Sequence, residues 1–156
     1  MNAEAFRNGQ AALKAGDYKG AVRDFETVLK DMEDHQDKYN NVVSYLGLSQ
    51  VLTSNRNGLL LCRDAASSEN QDGSVFLNLA CAEWYCMNRK RAIDAIMLGR
   101  KVDSENAQLK RALTLLDVRK KSLLGFLPRD HSLNRILGRL FRRTGDDELT
   151  VERLLY

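Results

Sequence analysis

The chain has 156 residues and a formal net charge of +3, from 24 Lys and Arg against 21 Asp and Glu. At 44% hydrophobic and 29% charged, with ten Gly and one Pro, it has the material for about one folded domain. That is too little Gly and Pro for a disordered or collagen-like chain. Its apolar runs, Leu59 to Cys62 and Leu123 to Leu127, fall short of the roughly 20 residues a membrane-crossing helix needs. The start, Met1 to Phe6, has neither the basic residues nor the apolar stretch of a secretory signal, so a cytoplasmic location is expected. Cys62, Cys81 and Cys86 are odd in number and lack framework spacing, which reads as reduced thiols.

From Ala5 to Leu29 the pattern is two short helices around a tight turn. Gly9, Ala12 and Leu13 lie on the first. Gly16 suits the left-handed residue that closes it, and Asp17 suits the N-cap of the second. Ala21, Phe25 and Val28 recur at i, i+4 and i+7, one helical stripe. The pattern returns downstream: Gly47 and Ala80 follow Gly9 at separations of 38 and 33 residues, and Ala66 and Gly99 follow Val28 at the same separations. The longer first interval, about one added helical turn, is expected within Lys30 to Asp37. Asn88–Arg89 marks the third turn, before Ala92 and Ile96. In the middle unit Leu59 stands at the place of Ala21, Arg63 at that of Phe25, and Ser54 to Asn57 at that of the Gly16 turn. This unit reads as degenerate.

Ser104 is a candidate N-cap for a further helix from Glu105 to about Asp117, with Leu109, Leu113 and Leu116 on one face. An apolar connector, Leu123 to Pro128, follows. Asp130 is placed to cap a last helix through about Arg143. Its apolar face carries Leu133, Ile136, Leu137, Leu140 and Phe141. The acidic tail beyond reads as a short helix or frayed. No stretch alternates with period two, so the fold class is all-α.

Gly9, Gly16–Asp17–Tyr18, Ala21, Phe25 and Val28 resemble the tetratricopeptide repeat (TPR), a helix–turn–helix unit of 34 residues. Residues 127–140 are similar to a stretch of small bacterial TPR proteins. The resemblance implies TPR-like stacked helical hairpins: about three units, at 3–36, 40–72 and 73–103, with a C-terminal capping segment at 104–143. Together these make a single domain at 1–143, and the acidic tail takes 144–156. In that family the first helix of each unit lines a concave groove. By resemblance the groove would present Phe6, Gln10, Leu13 and Lys14, then Ser44, Tyr45, Leu48, Val51 and Leu52, then Leu77, Asn78, Cys81, Trp84 and Tyr85.

The expected role is a non-catalytic protein–protein interaction scaffold or adaptor whose apolar concave groove takes a protein, peptide or helix. Family members that bind free carboxylate tails place Lys, Arg and Asn where this chain has Phe6, Gln10, Tyr45, Ser74 and Asn78. None of these is cationic, so a buried carboxylate would go uncompensated and that ligand is not expected. The stripe Leu133 to Phe141 has the apolarity to dock on the groove or on the third unit's outer face, and in the first case the groove covers itself.

Chemistry is sparse. Phosphate-loop, dinucleotide and nucleophile-elbow motifs are all missing from the sequence. His35 sits in an acidic stretch that reads as a solvated helix end, and neither His35 nor His131 neighbours a cysteine. An enzyme, a cofactor and a metal are therefore not expected. Charge is uneven: residues 89–143 carry 15 Lys and Arg against 5 Asp and Glu, including Arg89, Lys90, Arg91, Arg119, Lys120 and Lys121. Two alternatives follow. One is a secretion-type TPR chaperone shielding an apolar client segment. The other is a basic nucleic-acid-associated module, disfavoured because few aromatics accompany the charge.

Overall fold

The computed structural model describes residues 1–34, 36–116 and 150–155. Among them the fold is all-helical, with no strand. The helices are α1 (Ala3–Lys14), α2 (Tyr18–Lys30), α3 (Tyr39–Leu52), α4 (Asn57–Ser67), α5 (Gly73–Tyr85), α6 (Arg89–Val102), α7 (Ala107–Leu116) and α8 (Val151–Leu155). Consecutive helices from α1 to α7 pack on one another, and α3 also packs on α5. The expected last helix and its connector, with His35, His131, Arg119, Lys120 and Lys121, lie outside the described residues.

Local signals explain several of the helix ends. The carboxylate of Asp17 accepts from the Gly20 N–H at 2.9 Å, and that of Asp72 from the Ser74 N–H at 2.8 Å. Each satisfies one of the donors that a helix start leaves unpaired. At α7 the cap differs from the sequence expectation. Asn106, not Ser104, accepts from the N–H groups of Gln108 and Leu109, both at 3.1 Å. The Ser104 hydroxyl turns to Glu105 instead.

One turn closes α1, α3 and α5 alike. Its left-handed residue is Gly16 (φ 80°), Ser54 (φ 68°) and Met87 (φ 64°) in the three places. The next N–H reaches five residues back each time: Asp17 to Ala12, Asn55 to Gln50, and Asn88 to Glu83. This bonding satisfies carbonyls that a helix end leaves open. The three left-handed residues are 38 and 33 apart, although only the first is glycine.

Small residues set the interhelix distances. A methyl added at Gly9 would sit 2.8 Å from the Phe25 ring, so α1 rests on that ring. A methyl at Gly47 would sit 2.6 Å from the Gly58 carbonyl oxygen and 2.8 Å from Cys62 Sγ. There α3 and α4 meet backbone to backbone. This corrects the register read from the sequence. The buried face of α4 is Gly58, Cys62 and Ala65, not Leu59, Arg63 and Ala66. Its i, i+4, i+7 spacing equals that of Ala21, Phe25 and Val28 in α2 and of Ala92, Ile96 and Gly99 in α6. The middle pair keeps the pattern, but its turn is one residue shorter.

Candidate interaction surface

Two of the residues expected to line a groove meet in an aromatic core. Phe6 lies edge-on to Phe25 at 5.8 Å between ring centroids and edge-on to Tyr45 at 5.7 Å, and Phe25 stacks on Tyr45 at 5.4 Å. Such pairs add to the area they bury, and truncating one would cost about 3 kcal/mol. Burial also pushes the Tyr45 hydroxyl above its ordinary pKa, while hydrogen bonds to Gln10 and Asn78 oppose the shift. A buried phenol needs such partners.

Those bonds belong to a polar seam across α1, α3 and α5. Asn78 donates to the Ser44 hydroxyl at 2.9 Å, and Ser44 donates to the Asn41 carbonyl at 2.7 Å. Asn41 in turn donates to Asp72 at 2.6 Å and to the Ser74 hydroxyl at 2.7 Å. The Cys62 thiol donates to the Ser44 carbonyl at 3.4 Å. Gln10 and Asn78, expected to line the groove, bond within the molecule instead.

Burial corrects the groove further. Leu13, Leu48, Val51, Leu77, Asn78 and Cys81 are all buried, with Leu48 and Cys81 wholly inaccessible. The geometry borrowed by resemblance points these side chains into a groove, whereas all six are buried. Of the expected apolar and aromatic residues, Tyr85 alone is well exposed, at 45%; Lys14 is exposed as well. Trp84 is partly buried, with the Arg89 guanidinium 4.8 Å over its ring, a cation–π contact. One member of the expected basic patch is thus held against the protein's own surface. Lys90 and Arg91 are exposed.

The α5 and α7 face has an occupant. The segment expected to be an acidic tail supplies α8, and its Val151, Leu154 and Leu155 are buried in the same hydrophobic core as Leu109, Ala112 and Leu116. α8 packs on α5 and α7. Its polar contacts reach both sides: the Tyr18 hydroxyl on α2 donates to Glu152 Oε1 at 2.6 Å, and Gln108 Nε2 on α7 donates to the Leu155 carbonyl at 3.1 Å. The Tyr18 bond holds the Glu152 carboxyl below the usual carboxylate range.

Sequence reasoning also missed an ion pair. Glu83 on α5 is buried, and its Oε1 accepts from Arg63 Nε and pairs with its NH2 nitrogen, both at 2.8 Å. Asn88 donates to the other oxygen at 2.7 Å. Arg63 looked like a lapse from the apolar pattern. It is the partner of a carboxylate that would otherwise be buried alone, a costly state.

A cleft of about 640 Å³ opens beside the α2–α3 connection, lined among others by Leu29, Asp34, Tyr39, Asn40, Leu61 and Asp64. Among the described residues no group of His, Cys, Asp and Glu could hold a metal ion, and no helix is long and apolar enough to cross a membrane. No family model matches the chain, and no curated protein matches it.

Proposed function

We propose that the chain is a non-catalytic protein–protein interaction scaffold, built as a TPR-like stack of helical hairpins, that seats a short helix or peptide on the face of α5 and α7. One observation carries this reading: α8, five residues long, buries three apolar side chains against that face. A surface that accepts a short helix from its own chain has the shape and apolarity to accept one from another, the helix-in-groove mode of recognition. Support for the hairpin stack comes from the shared closing turn at Gly16, Ser54 and Met87. The three buried stripes at i, i+4 and i+7 add to it.

The test is a photo-cross-linking residue introduced at Gln108, beside α8, and separately at Lys90, on the basic surface, each in the full chain inside cells. Discrete protein adducts from Gln108, with none from Lys90, support the reading. Adducts confined to Lys90, together with salt-sensitive retention on heparin, overturn it in favour of a basic module. Adducts from neither position also overturn it.

A further inference from the structure

Resting on that reading, we infer that the α5–α7 face recognises one partner chemistry, a short amphipathic helix with apolar residues at i, i+3 and i+4 and a carboxylate at i+1, which binds by displacing α8.

The pattern is that of the present occupant. Val151, Leu154 and Leu155 are buried, whereas Glu152 and Arg153 are exposed. A five-residue helix is not stable by itself in water, because the first turn fixes several residues for a single hydrogen bond. The face that α8 covers therefore supplies its helicity. Two donors on the receiving side set the direction and length of the bound helix. The Tyr18 hydroxyl meets a carboxylate in its first turn. Gln108 Nε2 meets a carbonyl at its end, one of those that a helix terminus leaves without an internal partner. Both groups donate to acceptors, so a helix carrying Lys or Arg at i+1 would meet a hydroxyl in place of a counter-charge.

The occupant is also a minimal one. Among the described residues, three buried apolar side chains and the hydrogen bonds from Tyr18 and Gln108 hold it, and a longer partner helix repeating this pattern would keep the same contacts. α8 then acts as a threshold, keeping the apolar face covered until a better-matched helix arrives.

The experiment uses the 17.7 kDa full chain and the peptide Thr-Val-Glu-Arg-Leu-Leu, residues 150–155, with an amidated end that preserves the last carbonyl. Binding is followed by the NMR shift of the Gln108 side-chain amide. The full chain carrying Val151→Ser, Leu154→Ser and Leu155→Ser, which releases α8, is expected to bind the peptide at least tenfold tighter than the unaltered chain. Replacing the peptide's Glu by Gln should weaken binding severalfold on that chain, and not when Tyr18→Phe is added. Equal binding by both chains, no binding by either, or indifference to the Glu overturns the inference.

Should the triple variant fail to fold by circular dichroism, hydrogen exchange on the unaltered chain decides. Saturating peptide must accelerate exchange of the amides of residues 151–155, and unchanged exchange overturns the inference. If the peptide fails while Gln108 still cross-links a partner, the partner chemistry is wrong and the interaction reading stands. If both fail, both fall.

Discussion

At the scale of single residues, Gly47 and Gly58 bring α3 and α4 together at the backbone. On helix propensity alone Gly58→Ala would help by about 1 kcal/mol. The added methyl, however, meets the Gly47 carbonyl oxygen and the Val51 backbone nitrogen, which cannot rotate aside as a side chain could. Overpacking of this kind costs about 1–3 kcal/mol and usually shifts backbone. We expect Gly58→Ala to lose at least about 2 kcal/mol, read from the midpoint of urea unfolding. Met87 is the opposite case. It is 84% exposed and holds a left-handed backbone that side chains with a Cβ disfavour. Met87→Gly should raise stability by up to about 1 kcal/mol, since the relief of strain exceeds the added freedom of the unfolded chain. A drop in melting temperature would show that the methionine side chain makes contacts worth more than the strain.

The three thiols separate on the same argument. Burial pushes Cys62 and Cys81 far above the ordinary thiol range, whereas Cys86 is partly exposed and raised less severely. Because the thiolate is the reacting species, an aromatic disulfide reagent should titrate one thiol in the native protein, slowly, and three in denaturant. Rapid reaction of two or more would contradict the packing around Cys62 and Cys81.

Among the elements, α8 has the most distinctive dependence on conditions. The Tyr18 bond lowers the Glu152 pKa in the folded state. A group whose folded pKa is depressed adds stability above its unfolded pKa and loses it as pH falls through the folded value. α8 should therefore be best anchored near neutral pH and loosen as pH falls through and below the usual carboxylate range. Hydrogen-exchange protection of residues 151–155, compared at about pH 7 and about pH 3, should drop at the lower pH. Tyr18→Phe should remove most of that difference. The bond is exposed, so its loss is worth no more than about 1 kcal/mol. Equal protection in the two proteins at both pH values would mean that apolar burial alone holds α8. The α4–α5 contact works differently, because Arg63 and Glu83 fix one helix against the other through a buried carboxylate.

At the scale of the whole molecule, the helices from α1 to α7, several of their caps and most of their buried stripes were legible in the sequence. Asp17 before a stripe at Ala21, Phe25 and Val28 is a local signal, and local hydrogen bonding and side-chain period produced the expected result. The candidate surface was far less legible. Tyr45 and Phe6 present the same apolar pattern whether they face a groove or each other, and only the close packing of Phe25 between α1 and α3 sets them, partly buried, against the core. Amphipathicity identifies a buried face without identifying what buries it. For the same reason Arg63 passed for a flaw until Glu83 stood opposite.

The sequence by itself determined that this chain forms helices, where α2 begins, and which side of α2 and α6 is buried, because these follow from spacings of a few residues along one chain. The tertiary structure alone decided the register of α4 on α3 and the seat of Val151–Leu155 on α5 and α7. A turn shortened by one residue leaves the helical period intact while shifting which side chain reaches the neighbour. A segment far along the chain finds its place through contacts whose free energy depends on shape in three dimensions, which no local pattern records.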